Sequence, residues 1–176
     1  MEGFYSNLED GLFELAYRHS DSTYHGYCFN LMRELRFRRQ TLMDTFTSRM
    51  NDGVDGWFAD LPPEEGANEL DSLALGLSRK CSAHFSGLLG KIIQRTEPLT
   101  AKPLDLASLP IGPYQVARHF VHACHLEEFD RDSIEAVQEL FLRFVLDRLG
   151  AAYGQFNQLL SASEARSAIE RQVASA

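Results

Sequence analysis

The side chains best able to do chemistry lie in one short run, His119, His122, Cys124 and His125, followed by Glu127 and Glu128. Imidazole and thiolate are the ligands that zinc and other borderline metals prefer. On a helix, His119 and His122 share a face, and so do His122 and His125. His119 and His125 are six positions apart, however, which is about 240° around the axis, so the three imidazoles spread over a broad arc. Cys124 lies off both pairs. A metal site here therefore needs a second helix to donate ligands. The simpler expectation is a pair of exposed histidines near a helix end, where an imidazolium also suits the C-terminal dipole.

A second cluster, Arg33, Arg36, Arg38 and Arg39, contains a single acid, Glu34. Arg36 and Arg39 share a helical face, and Arg33 joins them from the turn before. Three guanidinium groups on one stripe could clamp phosphates or meet an acidic protein partner. Internal pairing competes with both uses, because Glu34 and Arg38 stand at i, i+4 in the favourable order. Trp57 and Phe58 form a third candidate. They sit in a stretch from Asp52 to Asp71 that has seven acids and no base. They either plug the end of a helical bundle or anchor in a partner's pocket, a role for which Trp is favoured.

Other catalytic signatures are missing. The sequence has no GxGxxG, GxxxxGK[ST] or HExxH, and no GxSxG. It also lacks a CxxC pair and an ExxH pair of the kind that builds di-iron bundles. Glu64–Glu65 and Glu127–Glu128 are sequence neighbours and point about 100° apart on a helix, so they do not form an acid–base dyad. No cofactor is expected. The three cysteines, Cys28, Cys81 and Cys124, are dispersed and odd in number, which fits free thiols in a reducing compartment.

The elements that hold these residues are helices. The chain has 176 residues, 44% of them hydrophobic and 24% charged, which is the composition of one globular domain. Its net charge of −8 disfavours nucleic-acid coating. Its most apolar stretch, Leu140 to Leu149, is cut by Arg143, Asp147 and Arg148, so no membrane span is expected. The N-terminus lacks the basic flank and apolar run of a signal peptide, and a cytoplasmic protein is expected.

Apolar residues recur at threes, fours and sevens along Phe4, Leu8, Leu12, Leu15 and Ala16, with Gly11 a weak point. The same spacing runs through Tyr24, Tyr27, Cys28, Leu31, Leu35, Leu42, Phe46 and Met50. It returns from Leu70 to Ile92 and from Ile134 to Leu159. Caps are available at Ser20, Asp21 and Ser22, at Asn68, and at Asp130 or Ser133, while Pro113 suits a first helical position. Asn51–Ala67 and Pro98–Pro113 gather the Gly and Pro of connectors.

The reading is an all-α antiparallel bundle. Three long helices are expected, about 22–50, 68–96 and 131–160, with shorter N-terminal and connecting helices. Residues 1–161 form one domain, and 162–176 a frayed or separate helical tail.

Four blocks in register carry a family resemblance: DGLFELAYRHSDSTYHGYCFNLMRELRFRR from Asp10, Glu69–Leu70, PIGP at Pro110–Pro113, and LFLRFVLDRLGAAYGQFNQLL from Leu140. Together they resemble the N-terminal helical region of a bacterial domain-of-unknown-function family catalogued as number 1631. Members of that family are several times longer, with further helices and a small β-rich C-terminal part, so this chain is expected to be a stand-alone or truncated version. The resemblance implies a cytoplasmic proteobacterial regulatory protein and not an enzyme, and it brings no catalytic residues with it. A PilZ-type cyclic-dinucleotide site resembles RxxxR followed by a D/NxSxxG strand motif, and the second motif is absent. The expected function is a non-catalytic interaction module that binds a protein partner and self-associates. The alternative is a small-molecule or metal sensor using the 119–125 stretch or the 33–39 arginines.

Overall fold

Amphipathic stripes of this kind bury themselves only against other helices, and the computed structural model is built that way. It describes residues 1–18, 22–58, 68–99 and 104–174. In chain order the helices are α1 (Glu2–Ser6), α2 (Leu8–Arg18), α3 (Ser22–Phe37), α4 (Arg39–Phe58) and α5 (Glu69–His84). They continue with α6 (Ser86–Thr96), α7 (Pro113–Cys124), α8 (Arg131–Phe144) and α9 (Leu149–Ala174). Single 3₁₀ turns follow α6, α7 and α8, and no strand occurs among the described residues. The fold is all-α, as the periodicity predicts.

The start signals act where the sequence places them. Asn68 accepts a hydrogen bond from the Asp71 N–H at 2.9 Å, and Asp130 accepts one from the Ser133 N–H at 2.9 Å. Pro113 occupies the first turn of α7. The expected caps at Ser20 and Asp21, and connector residues 59–67 and 100–103, lie outside the described residues. α4 extends through Gly53 and Gly56 to Phe58, so half of the expected first connector is helix. Likewise α9 continues to Ala174, and the backbone beyond residue 161 is helical without a break.

Each of the three expected long helices is interrupted once, at Arg38, Phe85 or Val145. The first two interruptions are kinks rather than ends. Phe85 donates its N–H to Cys81 O at 3.0 Å and accepts from Leu89 N at 2.9 Å. Arg38 likewise donates to Glu34 O at 3.0 Å and accepts from Leu42 N at 2.8 Å. The third break has a packing cause. Phe144, Val145 and Leu146 are all buried, and a regular helix spreads consecutive residues about 100° apart. Val145 leaves helical geometry at φ −121°, ψ −67°, and a 3₁₀ turn follows that turns Leu146 inward as well.

α7 lies deepest, with Val116, Ala117, Phe120, Val121 and Cys124 almost fully buried. It packs against α4 and α5, while α6 packs on α9 and α8 on α2 and α3. Phe120 stacks on Phe141 of α8 at 3.7 Å, and Phe4 of α1 meets both rings edge-on at 5.5 and 6.4 Å.

Two glycines of α9 give a paired prediction. A Cβ on Gly150 would come within 2.6 Å of Cε1 of Phe85, a buried ring held edge-on to Tyr153 at 5.7 Å. A Cβ on Gly154 would meet nothing within 4 Å. Gly150→Ala is expected to cost about 1–3 kcal/mol through overpacking. Gly154→Ala is expected to gain up to about 1 kcal/mol in helix propensity. Urea unfolding of the two variants checks the opposite signs.

Candidate functional site

The described surface has two features with chemical content. The first is polar and lies where α5 meets α7. Asp71, in the first turn of α5, is only 8% exposed. Arg118, on α7, donates from Nε to its Oδ1 at 2.8 Å, and His122 Nε2 lies 3.2 Å from the same oxygen. Arg118 and His122 are one helical turn apart, so α7 presents both to the carboxylate. Burial acts to raise the Asp71 carboxyl, but the hydrogen bonds from Arg118 and His122 outweigh it and hold the group below its usual value of 3.8.

The lowered carboxyl fixes a pH dependence. A carboxylate whose folded value lies below its unfolded one adds stability above about pH 4. That contribution is lost as pH falls through the lower, folded value. Asp71→Asn is therefore expected to cost stability at pH 6, with the gap from wild type closing as the pH falls below about 4. Urea midpoints of both proteins across that range check it.

Asp71 and Arg118 form one wall of a surface groove of about 770 Å³, to which Leu75, Arg79, Leu106 and Tyr114 also contribute. The loop that supplies Leu106 is fixed by two local bonds. The Ser108 N–H donates to Asp105 Oδ1 at 2.6 Å, and Gln115 Nε2 donates to Ala107 O at 2.7 Å.

The second feature is apolar and lies on α2 and α3. Glu9 pairs with Arg36, and Phe13 meets Phe29 edge-on at 5.5 Å, so the two helices run side by side in opposite directions. Their inner faces bury Leu8, Leu12, Leu15, Cys28, Leu31 and Leu35. Their outer faces carry Phe13 at 52% exposure, Tyr17 at 92%, Phe29 at 53% and Phe37 at 87%. Between the two phenylalanines is a shallow apolar hollow floored by Leu12, Ala16, Cys28 and Met32. With Tyr27 of α3 at 40% exposure, five aromatic rings on one helix pair are accessible and are not accounted for by core packing. Aromatic side chains are, however, the residues enriched in protein interfaces.

The histidine stretch does not converge. His119 is buried against α4, where a Cβ on Gly53 would come within 3.1 Å of its Nε2. His122 faces Asp71 on α5. Cys124 points into the core, and burial pushes its thiol up to about 12, far from the thiolate that binds a metal. His125 ends α7 in the left-handed region (φ 52°, ψ 51°), exposed, with Nδ1 3.7 Å from Glu127 Oε1. The expected pair of exposed histidines is thus one exposed residue and one half-buried partner of a carboxylate. Among the described residues, no three His, Cys, Asp or Glu side chains are grouped to hold a metal.

The arginines are also divided. The break at Arg38 puts Arg33 and Arg36 on α3 and Arg39 on α4. Arg36 pairs with Glu9 of α2. Arg38 bonds Glu34 at 2.7 Å and Glu128 at 2.8 Å and lies over the Phe129 ring. Arg39 lies over the Tyr5 ring at 5.2 Å. Arg33 is exposed beside Phe29 and Phe37. Trp57 is half-buried in the last turn of α4, and the Phe58 side chain is outside the described residues.

No helix among the described residues is long and apolar enough to cross a membrane. The N-terminal domain of a family described as a protein of unknown function, DUF1631, matches residues 1–164. No curated protein and no solved structure matches the chain.

Proposed function

The chain belongs to the DUF1631 family through its N-terminal domain, and from that premise we propose that it is a non-catalytic, regulatory interaction module of the bacterial cytoplasm. It acts by presenting the outer face of α2 and α3 to another protein chain. The observation that carries this reading is the exposure of Phe13, Tyr17, Phe29 and Phe37 on one helix pair. Buried against a partner, each ring would contribute on the order of 1–3 kcal/mol. Left in water, the same rings favour non-specific association.

A photo-cross-linking amino acid at Tyr17 or Phe37, with the exposed Gln94 of α6 as control, tests the surface in living cells. Protein adducts are expected from positions 17 and 37 and not from 94. Equal yields at all three positions would count against the reading.

A second reading, ligand sensing, is favoured by the α5–α7 groove. Its volume of about 770 Å³ is within the range of small-molecule sites. Leu75, half exposed on its wall, gives the control: a ligand found by thermal shift should lose its effect in Leu75→Trp.

A further inference from the structure

Resting on the reading of the α2–α3 face as a contact surface, we infer that its occupant is a second copy of this chain. A two-fold axis lying along the seam between α2 and α3 lays each α2 on the other copy's α3.

On the outer side, α2 carries an acid, Asp10, beside Phe13, and α3 carries a base, Arg33, beside Phe29. Neither charge is in an ion pair among the described residues. At 1.5 Å per residue, Asp10 lies about 4.5 Å along α2 from Phe13, and Arg33 about 6 Å along α3 from Phe29. Because the helices run in opposite directions, these two displacements point the same way. Asp10 and Arg33 therefore stand at nearly one level on opposite sides of the seam.

A two-fold axis along the seam keeps the level and exchanges the sides. It sets Asp10 of each copy against Arg33 of the other, and Phe13 against Phe29, each twice. A two-fold across the helices would instead match the acidic helix with itself and the basic helix with itself. The net charge of −8 makes most approaches between copies repulsive, and on this face Arg33 sets a positive charge beside exposed apolar surface.

Size sets the strength. α2 has 11 residues and α3 has 16, giving a face about 16–24 Å long and about 20 Å wide. That is a few hundred Å² per copy, below the roughly 800 Å² per partner of a standard interface. The dimer is therefore reversible, with a Kd in the micromolar range.

Sedimentation velocity from about 1 to 500 μM tests this range. The wild type is expected to pass from monomer to dimer. Phe29→Ser and Tyr17→Ser are expected to weaken association about tenfold or more while melting normally, both sites being exposed. Asp10→Arg and Arg33→Asp alone should each weaken it by about tenfold, since each sets like charges opposite each other in two places. Mixed at equal concentration, these two charge variants should dimerise again to within about threefold of wild type, because the reversed charges then face each other. A wild type that stays monomeric throughout overturns the second copy as occupant, while the cross-linking result still judges the contact surface separately. A dimer indifferent to the charge reversals, or two variants that fail to recover on mixing, overturns the axis.

Discussion

Phe120→Ala is expected to destabilise the protein by about 3–5 kcal/mol, the range for emptying an aromatic site in a packed core. Phe120 is fully buried on α7 and lies parallel to Phe141 of α8 at 3.7 Å, with an interplanar angle of 6°. Phe4 closes the third side edge-on. Truncation removes the transfer free energy of the ring, two aromatic contacts and the support of helices α1 and α8 together. The surrounding rings are themselves held, so the cavity collapses only in part. For a chain of this length the expected fall in Tm is on the order of 10 °C. Differential scanning calorimetry measures it, and a loss below about 1 kcal/mol would mean that α1, α7 and α8 do not share one core.

Arg118→Ala is expected to cost about 3 kcal/mol, because it leaves the Asp71 carboxylate buried with only His122 beside it. Arg118 is itself only 12% exposed along its side chain, so solvent screens the pair weakly. Removing both partners should be far milder. Asp71→Leu/Arg118→Leu replaces two desolvated charges by apolar groups, and such exchanges are often near neutral. A double-mutant cycle of Asp71→Leu and Arg118→Leu by urea unfolding should therefore show strong coupling, with the double variant more stable than Arg118→Leu alone. Additive losses would show that Arg118 works elsewhere.

The helices were legible because their apolar spacing is strong and their starts are marked by Asn68, Pro113 and Asp130. Their interruptions were not. No Pro stands at Arg38, Phe85 or Val145, and the apolar stripe passes through each without a change of period. The polar cluster was hidden for a different reason. Asp71 and Arg118 are 47 residues apart, and in the sequence Asp71 is only the last of seven acids between residues 52 and 71. The only local sign was the spacing of Arg118 and His122 on one face.

The aromatic face left a trace that stripe-reading discards. Phe13, Tyr17, Phe29 and Phe37 are large apolar residues at positions off the core stripe of their helices, where a polar residue would serve a lone domain. On an unbroken helix Arg36 and Arg39 share a face, and the Arg33–Arg39 run makes one row. The kink at Arg38 turns it instead into three separate pairings and one exposed charge.

The most direct test of the account is the size of the particle that this chain forms in its host's extract. Wild type and Phe29→Ser/Phe37→Ser, each isotope-labelled and added at a fixed concentration, are compared by size-exclusion chromatography after matched thermal melts. Wild type is expected to elute in an assembly larger than its 19.9 kDa, and the double variant, equally folded, to elute alone. Co-elution of the two at the size of a single chain would contradict it.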